Sequence, residues 1–401
     1  MKKRDWRPTP SQEILLRAVL GEGERAVKAW REWMERIDMD RLDPGSFRLL
    51  PLLHENLKAA GVDDPRLALY QGVARHFWYR NRILFHRASL VLAAFQQRSI
   101  PALVLKGGAL IGSFYRHGGL RPMGDFDVLV PFSRAREAAA VLREQGWRPA
   151  AGLPEEPDDV FLAVLARHHF MDTAGFSIDL HWSLYRENTS FDSDDEFWRG
   201  ALPHTILGVP CRRLQPADQL LHVCKHGLEW DPTPTVRWVV DAARILTVSE
   251  VCWERFLEQT ARLSFGPWLH ASLHYLKTQM ELPIPEEVLK TLARLRRPYL
   301  SRMEYLGKSR RYEILGDMPM LWCDYRRFRN HSDMDDSKGA FRRFLCRRWD
   351  KDSGMPLLVL IGRKLARRMK AGLLPSFSGG QKVLMAGRRL KEKRLQEESR
   401  K

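Results

Sequence analysis

The chain lacks the devices that hold secreted and membrane proteins together. Its five cysteines, Cys211, Cys224, Cys252, Cys323 and Cys346, are odd in number and contain no CxxC pair. That argues against a disulfide framework and a cysteine-based zinc site. No stretch approaches the roughly 18 apolar residues that span a bilayer. The longest candidate, residues 356–362, is short and runs into Arg363 and Lys364. The N-terminus, MKKRDWRPTP, carries positive charge with no apolar run behind it, unlike a signal peptide. Together these features predict a cytoplasmic protein. An internal repeat of fixed period is also missing.

Excess charge is missing from most of the chain as well. The 66 Lys+Arg and 49 Asp+Glu give a formal charge of +17. Residues 296–401 hold 28 basic and 12 acidic residues, against 38 and 37 in residues 1–295. The basic character therefore belongs to the last quarter. A reading of the whole molecule as a nucleic-acid binder is excluded. With 401 residues, 44% of them hydrophobic, two or three packed domains are expected and wholesale disorder is not.

Residues 10–97 have apolar residues at helical spacing, with the longest uninterrupted pattern from 65 to 97. Ser99-Ile100-Pro101 ends it. A short buried strand is then expected over 102–105 and a helix over 109–115. A glycine-rich loop over 116–124 leads to a second strand over 125–130. Ser133 is expected to cap a helix running to about residue 145. Residues 168–173 and 176–183 read as a hairpin turning at Ala174-Gly175. From about residue 216 the pattern is helical again. This order predicts an α+β fold, a small mixed sheet with helices on it, flanked by helical regions. The expected division is 1–97 helical, 98–212 α/β core, 213–330 helical and closing a cleft, and 331–401 a basic, partly helical extension.

The chemistry-bearing segment is Lys106-Gly107-Gly108, followed by Asp125-Phe126-Asp127. Side chains alternate along a strand, so Asp125 and Asp127 share one face while Phe126 and Val128 pack on the other. Two adjacent carboxylates repel, and a divalent cation such as Mg²⁺ relieves that repulsion. Asp179 alternates in the same way with Ile178 and Leu180 on the hairpin. If its strand lies beside the first, three carboxylates converge and can hold two Mg²⁺ ions around a phosphoryl centre. A glycine pair at a strand-to-helix turn lets backbone N–H groups approach phosphates, and Lys106 and Arg121 add positive charge. Ser113 is a weaker candidate for the same site.

This segment resembles the nucleotidyltransferase superfamily typified by DNA polymerase beta and kanamycin nucleotidyltransferase. The closer resemblance is to the bacterial uncharacterised nucleotidyltransferase family, over roughly residues 10–300. The residues that carry it are Lys106-Gly107, Arg121, Asp125 and Asp127, the strand Ile178-Asp179-Leu180-His181-Trp182, and His222 with His226. The Trp238 to Leu246 stretch, with Asp241, is similar too. The 16-residue spacer between Gly108 and Asp125 is longer than the broader superfamily uses, which sets the chain apart from antibiotic-modifying members. The resemblance implies transfer of a nucleoside monophosphate from an Mg-NTP, ATP first, to an unidentified hydroxyl or phosphate acceptor. Asp125, Asp127 and Asp179 would be catalytic and metal-binding. Lys106, Gly107, Gly108 and Arg121 would hold the triphosphate. The alternative is a nucleotidyltransferase-like module without turnover that binds nucleotide and is docked to membrane or nucleic acid by its basic tail.

Plainer roles stand beside these. The Asp125/Asp127 pair could be a solvated strand end. His181 is expected to satisfy a structural hydrogen bond, although it shares the face of Asp179. His222 and His226, four apart on a helix, are expected to pack near the cleft rather than bind zinc. Lys225, His226 and Trp230 are candidates for the nucleotide pocket, and Asp241 for a partner of Arg237 or Arg244. In residues 357–374 basic residues flank Leu358, Ile361, Leu365 and Met369, the pattern of a packed or membrane-surface helix. Residues 350–401 could thus dock the protein to an anionic membrane, which allows peripheral placement at the inner membrane surface, or to an acidic partner. Nucleic acid ranks last, because few aromatic residues interleave with the basic run.

Overall fold

The computed structural model describes residues 6–187, 192–228, 236–295, 322–326, 329 and 344. All but Phe344 fall in one compact unit, residues 1–334. The basic stretch 350–401, with the helix expected at 357–374, and Trp230 lie outside the described residues.

Five helices come first: α1 (Pro10–Leu20), α2 (Gly23–Met34), α3 (Pro44–Phe47), α4 (Leu50–Ala59) and α5 (Arg66–Gln97). Thr9 and Gln12 cap α1 reciprocally, each side chain taking a backbone N–H of the other, and Pro10 sits where no N–H is needed. Asp43 caps α3 and also accepts a bond from Gln12 Nε2 at 2.9 Å, tying α3 to α1. α5 runs 32 residues without an acidic side chain.

The middle of the chain builds a seven-stranded sheet. In chain order come β1 (Leu103–Val104), α6 (Lys106–Leu110), β2 (Asp125–Leu129), α7 (Ala135–Glu144), β3 (Arg148–Pro149), α8 (Asp159–Val164), β4 (Arg167–Met171), β5 (Ser177–His181), α9 (Asp195–Arg199), β6 (Leu202–Ile206) and β7 (Val209–Arg213). The strand order is β3-β4-β5-β2-β1-β7-β6. β2 runs parallel to β5 and β1 parallel to β7, while the other neighbours are antiparallel. The sheet is therefore mixed, as the alternation of strands, helices and hairpin predicts. Helices α10 (Pro216–Gly227), α11 (Arg237–Val248), α12 (Trp253–Arg262), α13 (Gly266–Met280) and α14 (Glu286–Arg294) follow.

Two apolar layers position the strands. Phe126, Val128, Ile178 and Leu180 pack with Leu84, Leu92 and Phe95 of α5 and Leu142 of α7. A second layer joins Leu103, Leu105 and Leu129 to the N-terminal helices and to α10, α11 and α13. Burying a Leu- or Phe-sized side chain contributes about 1.5–3 kcal/mol, so these layers fix which way every strand residue between them must point. Among the described residues no helix is long and apolar enough to cross a membrane. Cys211, Cys224, Cys252 and Cys323 are free thiols.

Three local expectations need correction. Ser133 does not cap α7; it lies inside a 3-10 turn (Phe132–Arg134), and Arg134 stands before the helix with its guanidinium on Glu137. The helix expected over 109–115 stops at Leu110, because Gly112 takes φ +84° and turns the chain. Residues 202–213 form an unexpected hairpin, β6–β7. Leu207 at φ +47° and Gly208 at φ +84° give it the two-residue positive-φ turn that suits strand twist.

Candidate functional site

The alternation along β2 and the apolar layer beneath Phe126 and Val128 turn Asp125 and Asp127 to the opposite face. β5 aligns with β2 so that Asp179 stands opposite Asp127, Ser177 opposite Asp125 and His181 opposite Leu129. β4 then brings His169 opposite Asp179 and Arg167 opposite His181. The result is a row across three strands, His169–Asp179–Asp127, closed at its far end by Lys106.

Asp127 is 2% exposed and receives Lys106 Nζ at 2.5 Å and His181 Nε2 at 3.0 Å, both on Oδ1. Burial alone would raise its pKa; the positive charge of Lys106 and the bond from His181 outweigh it and hold the carboxyl well below the usual range. Asp179, 3% exposed, meets His169 Nδ1 at 2.6 Å and Arg167 Nη1 at 3.2 Å. Burial opposes its ionisation, yet His169 and Arg167 carry it downward. His169 is raised in turn by its bond to Asp179. Asp125 goes the other way: burial and the neighbouring negative charge of Asp127 push it up. The charges of Lys106 and Arg237 act against this rise in Asp125 without cancelling it.

Asp127, Asp179 and His181 each offer one ligand atom, and these atoms lie within 4.8 Å of one another. Two carboxylates and an imidazole suit a divalent cation, and the oxygens suit Mg²⁺ or Mn²⁺. Asp125 stands outside that cluster, where the sequence reading put it among the ligands. The donor set fits a cation, which would share the charge of Asp127 with Lys106.

Lys106 has φ +44°, a left-handed conformation unusual outside glycine. Its strained backbone turns the chain from β1 into α6 beside the carboxylates, and Leu105 N–H donates to the Asp127 carbonyl at 3.0 Å. The two glycines that follow are buried. A Cβ on Gly107 would lie 2.4 Å from Arg121 Nη1, and one on Gly108 would lie 2.5 Å from Val104 Cγ1 and 2.8 Å from the Phe126 ring. Close packing of the turn against its neighbours is thus one reason for glycine there, beside the approach to phosphate expected from the sequence.

The structure gives Arg121 a partner other than the triphosphate expected of it. Its Nε and Nη2 donate to Asp241 at 2.8 and 2.7 Å, and Tyr115 Oη donates to the same carboxylate at 2.5 Å. Asp241 therefore takes its guanidinium hydrogen bonds from Arg121, while Arg237 acts on it through charge. Arg237 instead donates to the carbonyl of Pro122. Lys225 is 1% exposed, donates to Glu187 at 2.9 Å and lies over the Phe265 and Trp268 rings. It is part of the interior. His222 and His226 stack at 6.4 Å with planes 6° apart. Burial, then His226 and Lys106, hold His222 well below its ordinary value, so it is neutral and sits electrically close to the carboxylates.

His169 and Arg167 were not among the residues expected at the site. The signal was present: a hairpin turning at residue 174 pairs residues equidistant from it, and 169 then faces 179.

A family model described as uncharacterised nucleotidyltransferase matches residues 46–281. No curated protein matches the chain. Among solved structures, an antigenic nucleotidyltransferase-like protein from Paracoccidioides brasiliensis is similar at 10% identity and a TM-score of 0.36, over 54% of this chain and 94% of that one. A likeness of that size carries no structural argument. The matched span contains α5, the whole sheet and every residue of the carboxylate row, and the chain belongs to the uncharacterised nucleotidyltransferase family.

Proposed function

We propose that the chain moves a nucleoside monophosphate from an NTP, ATP first, to a hydroxyl or phosphate acceptor, releasing pyrophosphate. The observation that carries this reading is the in-register pairing of β2 and β5, which sets Asp127 against Asp179 with Asp125 adjacent. The acceptor oxygen bonds to the α-phosphorus as the bond to the β-bridging oxygen breaks. Asp127 and Asp179, with Asp125 beside them, would hold Mg²⁺, two ions in the full scheme. When bound, the metal lowers the pKa of the attacking hydroxyl and neutralises charge on the leaving pyrophosphate.

The chain's own groups do the rest. The acceptor's proton passes to Asp179, and His169, hydrogen-bonded to it and 35% exposed, offers that proton a way to solvent. Lys106 would exchange Asp127 for the triphosphate, with the backbone of Gly107 and Gly108 beside it. Arg121, paired with Asp241 through Nε and Nη2, would keep the turn in place from behind and add its positive charge to the triphosphate site. The basic stretch 350–401 would dock the cytoplasmic protein to an anionic membrane or an acidic partner.

The direct test incubates the protein with Mg²⁺, each labelled NTP and a cell extract. Label on one acceptor and its loss in Asp127→Asn, with an unchanged circular dichroism spectrum, are expected. Undiminished turnover in that variant would sink the assignment. Salt-sensitive association with anionic vesicles that disappears on removing residues 350–401 would support the docking role; association unchanged by truncation would refute it.

A further inference from the structure

A cavity of about 720 Å³ lies outside the carboxylate row, between α4, α5 and the loop 116–124. Its size is that of a small-molecule site. Helical spacing explains how it is lined: His54 and Lys58 are one turn apart on α4, and Arg75 and Trp78 one turn apart on α5. His117 and Leu120 close it from the loop. Among the described residues Glu55 is the one acidic side chain in the wall. Lys58 and Arg75 make no hydrogen bond or ion pair among the described residues, so two cations from different helices reach this space uncommitted. Burial and the nearby Lys58 hold His54 below its ordinary value, which leaves it a neutral hydrogen-bonding group at pH 7.

The wall is already built. A Cβ on Gly119 would lie 3.0 Å from the Ala74 carbonyl oxygen and 3.2 Å from Trp78 Cβ, so a side chain there would press the loop off α5 by a few tenths of an ångström. Asn81, one turn beyond Trp78, donates to the carbonyls of Gly118 at 2.6 Å and Arg121 at 2.9 Å. Its Oδ1 accepts Met123 N–H at 3.2 Å.

We propose that this cleft binds a phosphorylated small molecule with a planar apolar body, its phosphate between Lys58 and Arg75 and its ring against Trp78 and Leu120. Two cations match a phosphate monoester, which carries nearly two negative charges at pH 7. The aromatic and aliphatic wall matches the ring. The loop that forms this wall continues directly into Asp125, so occupancy of the cleft also steadies the entry to β2.

The test uses the full chain, without divalent cation, titrated calorimetrically with phenyl phosphate and separately with inorganic phosphate. Phenyl phosphate is expected to bind one site, roughly tenfold tighter than phosphate, a factor worth about 1.4 kcal/mol. Lys58→Ala with Arg75→Ala should weaken it at least about tenfold, a loss in line with uncompensated charge-assisted bonds. Trp78→Ala should weaken phenyl phosphate and leave phosphate nearly unchanged. Melting curves check that each variant is folded. No saturation by phenyl phosphate up to about 10 mM, a range that covers affinities weaker than 4 kcal/mol, would overturn the proposal. So would saturable binding that survives the double substitution, because that binding would then reside elsewhere.

Discussion

Replacing Asp241 by alanine strips three hydrogen bonds from groups that water does not reach. Arg121 is 3%, Tyr115 4% and Asp241 4% exposed. Burial would raise the Asp241 pKa, but Arg121 and Arg237 hold it below the ordinary range; Asp241 in turn keeps Arg121 charged against burial. Arg237, pushed down to about 10 by burial and by Arg121, depends on the same carboxylate. Without it a guanidinium charge stays buried with no counterion, which costs about 3–5 kcal/mol. Unfolding entropy of about 2.1 cal/mol/K per residue over roughly 300 residues converts that loss to a fall of about 5–8 °C in Tm. Scanning calorimetry reads it. The decisive arm is the double variant Arg121→Met with Asp241→Leu. Removing both charges and filling the space should recover most of the loss, with a coupling of at least about 2 kcal/mol in the cycle. A single variant that loses less than about 1 kcal/mol, or a double variant as unstable as the sum of the singles, would refute the reasoning.

Asp194 supplies a pH test. Burial pushes its pKa from 3.8 up to about 7, with the Leu184 N–H bond only partly opposing. The folded state then holds a proton that the unfolded state has released. Stability present below pH 4 is therefore lost as pH rises towards 7, by up to about 4 kcal/mol, and is flat above. Asp194→Asn should abolish that slope in denaturant titrations at pH 4.5 and 7.5; an unchanged slope contradicts it. Gly108→Ala forces a methyl group against Val104 and Phe126, and should cost about 1–3 kcal/mol by chemical denaturation. A neutral substitution there would mean the turn shifts freely. Lys106→Ala should lower kcat/KM for the NTP about 100-fold, as for other lost charge contacts in a reacting site, while kinetics within threefold of wild type would remove Lys106 from the triphosphate site.

The carboxylate row was legible because alternation is a strong signal when one face is apolar. Phe126, Val128, Ile178 and Leu180 announce their burial, and the acids between them must face the other way. His169 needed one further step, the hairpin register. Arg121 was different. Its true partner, Asp241, lies 120 residues away, and no local pattern distinguishes a buried ion pair from a phosphate clamp. The β6–β7 hairpin escaped because Pro203 and Pro210 interrupt it and its exposed residues show no apolar alternation. The end of α6 depended on a single positive φ at Gly112, which sequence permits without demanding.

The parallel pairing of β2 with β5 also has a temporal meaning. Antiparallel β4 and β5 close across a five-residue turn, so the His169–Asp179 half of the row rests on a short-range contact. Asp127 joins it only across an intervening stretch that includes α7, β3, α8 and β4. Such long closures are slow to form. The repulsion between Asp127 and Asp179 therefore belongs to a late, long-range contact, whereas that between Asp125 and Asp127 is local to one strand.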